Sequence, residues 1–145
     1  MKKNLIIFLI VGTIALILLG YGYFKATPGV GEGQSENFPK IEITPKYFDF
    51  GQASYGDVLE HVFKLKNLGK EPLEIKRVAT SCSCTTAKVM EKIVASGQET
   101  ELIVTYDTGA MSGPHGMGDQ ERIIYVKSSD PLNPQVEITI HARVE

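Results

Sequence analysis

The sequence predicts an all-β protein, an antiparallel β-sandwich of about seven strands preceded by one N-terminal transmembrane helix. Three observations lead to this fold class. One long apolar run occupies the start of the chain, residues 40–145 alternate between apolar and polar side chains, and Gly, Pro, Asn and Asp separate the alternating segments. A period of two is typical of half-buried strands, whereas helices repeat every 3.6 residues.

The N-terminal segment has the length of a membrane span. Leu5–Phe24 contains no charged side chain, and nearly every residue of Leu5–Leu19 is aliphatic or aromatic. A spanning helix needs about 20 such residues to cross a hydrocarbon core of about 30 Å. Lys2 and Lys3 precede the span, so the positive-inside rule keeps the N-terminus in the cytoplasm. We therefore expect residues 1–24 to be a single-pass signal-anchor.

A cleaved secretory signal is the alternative, because signal peptides have apolar cores of about 7 to 15 residues. Residues 20–28 make a poor cleavage sequence, which favours the uncleaved anchor. Both interpretations place the remaining chain in the periplasm or at the cell surface. The export of the domain is therefore expected on either one.

Residues 25–39 separate the anchor from the domain. They mix Gly, Pro and polar residues without hydrophobic periodicity, which predicts a flexible linker. A random coil of this length reaches roughly 20 Å. We expect the domain of residues 40–145 to stay close to the bilayer.

The composition of residues 40–145 limits the function. These 106 residues suffice for one domain with one core. They carry 12 Lys and Arg against 15 Asp and Glu, with both signs scattered along the chain. Without a basic cluster in the sequence, nucleic acid and anionic lipid headgroups are not expected as partners. No nucleophile elbow or phosphate-binding glycine loop is present, so neither hydrolase nor nucleotide chemistry is predicted.

Seven segments carry the alternation or a short apolar run bounded by polar residues. The third segment is the clearest, because His61, Phe63, Leu65 and Asn67 share one face. The turn residues at 67–70 predict a hairpin between the third and fourth segments. The predicted strands are Ile41–Thr44, Tyr47–Phe50, Glu60–Leu68, Leu73–Ala79, Glu101–Tyr106, Ile123–Val126 and Val136–Val144.

Several short motifs together resemble a known bacterial family, the domain-of-unknown-function family 1573 (DUF1573). The resemblance covers Ile41 to Arg143 and includes the later Tyr106-Asp107. The motifs are Phe48-Asp49-Phe50-Gly51, Gly56, Phe63-x-Leu65-x-Asn67-x-Gly69, Pro72-Leu73-x-Ile75 and Ser81-Cys82-Ser83-Cys84-Thr85.

The resemblance implies an immunoglobulin-like sandwich, since the family is similar to the ASH-type domains of Hydin and related ciliary and centrosomal proteins. It implies a fold without an activity. The chain departs from the family pattern twice. Its Cys-Ser-Cys-Thr at residues 82–85 replaces the usual Cys-Gly-Cys-Thr, and Gly109–Gln120 is an insertion.

Cys82 and Cys84 are the only cysteines, and export would place them in an oxidising compartment. They predict either a structural pair or a labile disulfide that acts in thiol–disulfide exchange. Exchange is the one enzymatic activity that the sequence leaves open. Lys88 and Arg77 are the nearby cations that could lower a thiol pKa, but nothing in the sequence places them beside sulfur.

A copper site is a further hypothesis, drawn from Met111, His115 and Met117. Thioether, imidazole and thiolate ligands suit copper, Cu(I) in particular, and Cys82 and Cys84 could complete the set. The opposing interpretation is an ordinary exposed glycine-rich loop, because no metal-ligand spacing motif is complete. No cofactor is otherwise expected.

The function that the sequence favours is a non-enzymatic binding or scaffolding module, tethered to the membrane through residues 5–24. Its partner would be a protein that the sequence does not identify. Immunoglobulin-like sandwiches commonly bind through strand edges and end loops. Thiol-redox or copper handling through Cys82 and Cys84 is the alternative.

Overall fold

The computed structural model describes residues 13, 14, 16–18, 21 and 37–145. The few described residues of the predicted anchor are helical. The rest of the predicted anchor and residues 25–36 of the predicted linker lie outside the described residues. In the described part of the chain, no helix combines the length and hydropathy needed to cross a membrane.

Residues 37–145 form two packed β-sheets, one of four strands and one of five. The first sheet has the order β1-β3-β7-β5, and the second has the order β2-β9-β8-β4-β6. A short 3₁₀ helix, Gly113–His115, lies between β7 and β8. The strands are β1 (Ile41–Thr44), β2 (Tyr47–Ala53), β3 (Val58–Asn67), β4 (Leu73–Thr80), β5 (Thr85–Val89), β6 (Ile93–Val94), β7 (Glu99–Asp107), β8 (Gly118–Ser128) and β9 (Gln135–Val144).

The predicted two-sheet β-sandwich is confirmed, but its strand count is nine instead of about seven. The two additional strands are β5 and β6. They are five and two residues long. A segment of two residues cannot show alternation, and Thr85–Val89 carries a single strongly apolar side chain, Val89.

The prediction of a wholly antiparallel fold is wrong at one position. β2 and β9 pair in parallel, with Tyr47 opposite Thr139. The chain passes from β1 in the first sheet to β2 in the second through a cis Thr44–Pro45 bond. In the second sheet, the neighbour of β2 is β9, the last strand of the domain.

The predicted hairpin between β3 and β4 is also wrong. β3 pairs with β1 and β7, whereas β4 pairs with β6 and β8, so the turn at residues 67–70 crosses from one sheet to the other. At Gly69 this turn passes close to the segment before β1. A side chain at Gly69 would overlap the Phe38 carbonyl oxygen and lie 2.5 Å from the Lys40 nitrogen.

The core lies between the sheets and is built by the inward faces that the alternation predicted. Phe63 and Leu65 of β3 are fully buried, and Ile138 and Ile140 of β9 face them from the second sheet. Burial of one such side chain contributes about 1.5–3 kcal/mol. Burial of these inward-facing side chains, which recur at every second residue, therefore holds the two sheets together.

Asn67 is a polar exception at the end of this core. Its side chain is 0% exposed and makes four hydrogen bonds to the backbone. The Oδ1 atom accepts from the nitrogens of Lys40 (3.2 Å) and Gly69 (2.9 Å). The Nδ2 atom donates to the carbonyl oxygens of Glu71 (2.8 Å) and Val94 (2.9 Å). One side chain thus ties β3 to the segment before β1, to the 67–72 turn and to β6.

We expect Asn67→Ala to lower the free energy of unfolding by about 2–4 kcal/mol, because buried backbone groups would lose partners that each contribute about 1 kcal/mol or more. Denaturant unfolding followed by circular dichroism measures this change. Lys66→Ala, an exposed neighbour on the same strand, is the control and should change stability little. Equal stability of the two variants would contradict the structural role of Asn67.

Asp130 is a buried carboxylate at the same end of the sandwich and is 1% exposed. Burial alone would raise its pKa. Hydrogen bonds from the backbone nitrogens of Ile41, Asn133 and Leu132 outweigh burial and hold the pKa of Asp130 below its ordinary value. The charged carboxylate is therefore the form that the fold stabilises.

This lowered pKa predicts the pH dependence of stability. The contribution of Asp130 is fully present above the unfolded pKa of about 3.9 and is lost as the pH falls through the folded value. Asp130→Asn should therefore flatten the loss of unfolding free energy below about pH 4. Unfolding titrations across this range measure the slope, with exposed Glu42→Gln as the control. A slope unchanged by Asp130→Asn would refute the assignment.

Candidate functional site

The two cysteines lie in the tight turn that links β4 of the second sheet to β5 of the first. They are joined by a disulfide with a Cα–Cα distance of 5.3 Å. The turn is fixed to the fold on both sides. Ser81 donates its N–H to the Ile123 carbonyl at 2.9 Å, and Thr80 Oγ1 lies 2.9 Å from the Thr85 carbonyl oxygen.

The two sulfurs have different surroundings. Cys84 is 3% exposed and belongs to the core, whereas Cys82 is partly exposed. The Thr85 hydroxyl lies 3.4 Å from Cys82 Sγ and 3.8 Å from Cys84 Sγ. Since a disulfide sulfur carries no proton, the hydroxyl is the donor in these contacts. A reagent from solvent therefore reaches Cys82 more readily than Cys84.

Arg122 is the cation that contacts the disulfide. Its Nε atom lies 3.1 Å from Cys84 Sγ. Sequence analysis considered Lys88 and Arg77 for this role and missed Arg122, which is 38 residues from Cys84 in the chain. Only the pairing of β8 with β4 brings it to the turn. No local sequence signal marks that proximity.

The guanidinium of Arg122 is held by oxygens that carry no net charge. It donates to Gln120 Oε1 at 2.6 Å and to the carbonyl oxygens of Glu121 (2.8 Å) and His115 (3.2 Å). Its carbon lies 5.4 Å from the ring centroid of Tyr106. No carboxylate of residues 37–145 forms an ion pair with Arg122. A cation without a carboxylate partner thus lies beside a buried sulfur.

Tyr106 forms the apolar side of this site and is 2% exposed. Burial raises the pKa of its hydroxyl, and the positive charge of Arg122 only partly opposes that effect. The phenol is therefore neutral at physiological pH, so it does not compensate the charge of Arg122.

Met111, His115 and Met117 of the copper hypothesis lie in the loop between β7 and β8, residues 108–117. Met111 is partly buried against the core, whereas His115 and Met117 are exposed. Cys82 and Cys84 are bonded to each other, so in this state neither is a thiolate ligand. Within the part of the chain that the structure describes, no three His, Cys, Asp or Glu side chains are grouped as a metal site. The copper site stays a prediction.

A groove lies between β4 and β5 beside the cysteine turn, with a volume of about 370 Å³. All four charged side chains that line it are cations: Lys76, Arg77, Lys88 and Lys92. They are exposed, and none forms an ion pair with a described carboxylate. The sequence showed no basic cluster, because β4 and the segment 88–92 meet only in the fold. Apolar Ile75, Val78, Ala87 and Val89 complete the lining.

The strand edges at this groove are open. β4 pairs with β8 on one side, but β6 covers only Leu73 and Glu74 on the other. Ser81 bonds to β8, and pairing residues alternate in an antiparallel ladder, so the N–H and C=O of Val78 point towards the groove. Met90 bonds to β7, so by the same alternation the N–H and C=O groups of Ala87 and Val89 point away from β7 and towards the groove.

The loop between β7 and β8 is closely packed at Gly116, which is buried. A Cβ atom there would overlap the Met111 carbonyl oxygen. We expect Gly116→Ala to cost about 1–3 kcal/mol in unfolding free energy, as inserting an atom into a packed site does. Denaturant unfolding measures the loss, with exposed Ser112→Ala as the control. A variant as stable as the control would mean that the loop has another conformation.

Comparisons with known proteins agree with this fold. A structure of a protein of unknown function from Porphyromonas gingivalis W83 is 23% identical, with a TM-score of 0.67 over 81% of this chain and 51% of that one. The chain thus spans about half the length of that protein. The ASH/PapD-like domain 7 of human CEP192 is 13% identical, with a TM-score of 0.59 over 83% of this chain and 95% of that one.

A third solved structure, the YadV chaperone, is 16% identical, with a TM-score of 0.53 over 72% of this chain and 52% of that one. At these identities the likeness concerns the fold alone. No curated protein matches the chain. The family model of DUF1573, proteins of unknown function, matches residues 41–144. The resemblance noted in the sequence is thereby confirmed, and the chain belongs to the DUF1573 family.

Proposed function

We propose that this protein is a membrane-tethered binding module that holds an acidic, extended segment of a partner protein in the groove between β4 and β5. One observation carries the proposal. Two open strand edges border a groove whose charged lining, Lys76, Arg77, Lys88 and Lys92, is entirely cationic.

The open edges favour an extended peptide. Val78 on one side and Ala87 and Val89 on the other direct backbone N–H and C=O groups towards the groove. An extended chain can satisfy a row of alternating donors and acceptors by adding as a strand. A nucleic-acid phosphate offers acceptors alone, so it would leave the carbonyl groups without partners.

The charges favour an acidic segment. Cations without internal partners attract carboxylates and raise the rate of association, and salt weakens this attraction. The partly buried Val78 and Ala87 provide an apolar floor between the cations. Side chains that alternate between acidic and apolar types would therefore fit both the rim and the floor.

The tether rests on the N-terminal sequence. Leu5–Phe24 has the length and apolarity of a span, and Lys2 and Lys3 favour a cytoplasmic N-terminus. Helical conformation at the described positions, with Ile14 51% exposed and Leu16 71% exposed, supports an apolar helical surface. On this proposal the domain works in the periplasm or at the cell surface, near the bilayer.

A peptide-binding experiment tests the groove. The full chain in a nonionic detergent is titrated into a fluorescent pool of hexapeptides that alternate acidic and apolar residues, and anisotropy reports binding. About six residues match the stretch from Ile75 to Thr80 at about 3.3 Å per residue. We expect the double variant Lys76→Glu/Lys88→Glu to bind at least about tenfold more weakly, a change of about 1.4 kcal/mol.

The matched control is Lys66→Glu/Lys70→Glu, which changes the net charge equally at exposed positions outside the groove. It should bind like the unchanged protein. Equal loss in both double variants would show a nonspecific charge effect. Binding to anionic vesicles without binding to the peptides would assign the groove to a lipid surface. Either result, or no peptide binding, would contradict the proposal.

A further inference from the structure

The cysteine turn contains a disulfide in contact with Arg122, and the proposed peptide binding does not involve either. We propose that the Cys82–Cys84 disulfide exchanges with a protein dithiol, with Cys82 as the attacked sulfur and Cys84 as the leaving thiolate that Arg122 stabilises. This inference is independent of the groove and goes beyond the proposed binding function.

Exposure determines which sulfur is attacked. Thiol–disulfide exchange proceeds by attack of a thiolate along the S–S axis, and access to each sulfur contributes to the rate. Cys82 is partly exposed, whereas Cys84 is 3% exposed and packed in the core. An incoming thiolate therefore reaches Cys82, and the electron pair of the broken bond goes to Cys84.

Arg122 makes Cys84 the better leaving group. Its Nε lies 3.1 Å from Cys84 Sγ, and its charge has no carboxylate partner among residues 37–145. Burial alone would raise the pKa of a Cys84 thiol, whereas a guanidinium in direct contact lowers it. The negative charge of a Cys84 thiolate is thus compensated by the adjacent guanidinium. Since a leaving thiol of lower pKa leaves faster, this contact favours the release of Cys84.

The exchange balances as two displacements. One thiolate of the partner dithiol attacks Cys82 Sγ, the Cys82–Cys84 bond breaks, and Cys84 is released as a thiolate beside Arg122. The second thiolate of the partner then attacks the partner sulfur that is bonded to Cys82. This step closes the partner disulfide and releases Cys82 as a thiolate. The partner is oxidised by two electrons, and the cysteine pair is reduced by two.

A purely structural role explains the bond less well. The cysteines are two residues apart, so the cross-link closes a minimal loop and removes little entropy from the unfolded chain. The turn is also fixed without it, through Ser81 to Ile123 and through Thr80 to Thr85. Reduction should therefore leave the fold intact, as a reversible exchange requires.

Arg122 variants of the full chain test the leaving-group role. Thiolate absorbance of the reduced protein gives the thiol pKa values, and dithiothreitol serves as the dithiol for the rate of reduction. We expect Arg122→Gln to raise the lower thiol pKa and to slow reduction by about tenfold, because a leaving thiol of higher pKa leaves more slowly. Arg122→Lys should restore part of the rate.

Arg143→Gln is the control, because it removes an exposed arginine on β9 and leaves the cysteine turn unchanged. It should match the unchanged protein in both pKa and rate. Circular dichroism confirms that the variants are folded. Equal thiol pKa values and rates in Arg122→Gln and Arg143→Gln would overturn the role of Arg122. A disulfide that dithiothreitol leaves intact in the folded chain would overturn the exchange itself.

A trapping experiment tests which sulfur is attacked and does not depend on Arg122 substitutions. The oxidised full chain is mixed with reduced glutathione, free thiols are alkylated, and peptide fragment masses locate both groups. Glutathione should be found on Cys82 and the alkyl group on Cys84, since access to each sulfur contributes to the rate of exchange. Equal amounts of glutathione on the two cysteines, or more on Cys84, would contradict the assignment.

Discussion

The four hydrogen bonds of the buried Asn67 side chain hold one end of the sandwich together. They join β3 to the chain before β1 and, through the Val94 carbonyl, to the two-residue strand β6. β6 is too short to be stable as an isolated strand. It pairs with Leu73 and Glu74 of β4, the bond from Ile75 N to the Lys92 carbonyl at 2.7 Å adjoins it, and the Asn67 bond to Val94 adds a connection to β3.

This constraint shapes the groove. Because β6 pairs only with Leu73 and Glu74 of β4, the edge of β4 beyond Ile75 is left open. Lys92, next to β6, is brought to the groove that Lys76 and Lys88 also line. At the opposite end, the cysteine turn brings β4 and β5 together through Thr80 and Thr85. The open edges therefore lie between two fixed ends, which would preorganise them for a short extended segment.

Alternation and family motifs predicted much of the fold. The period of two in β3 and β9 identified the inward residues, since burial imposes that period wherever one face of a sheet covers a core. The sheet to which each strand belongs was not predictable, because the turn after Asn67 has the composition of a hairpin turn although it leads from one sheet to the other. β6 is held by a distant asparagine instead of by its own pattern.

The candidate sites were less predictable, because each one joins residues that are distant in the chain. Cys82 and Cys84 could be singled out as the only cysteines, yet the cation beside them is Arg122 of another strand. The basic groove likewise combines Lys76 of β4 with Lys88 of β5 and Lys92. Charges that are scattered in sequence become a cluster only after strand pairing, so a count along the chain misses them.

The central claim is that the backbone groups facing the groove are open until a partner pairs with them. Amide hydrogen exchange of the full chain tests this most directly, since unpaired exposed amides exchange quickly and paired ones slowly. The N–H groups of Val78, Ala87 and Val89 should exchange quickly in the free protein and slow down with the acidic hexapeptides. Those of Ser81 and Met90 should be protected throughout. Protection of Val78 and Ala87 without peptide, or no change on its addition, would contradict the account.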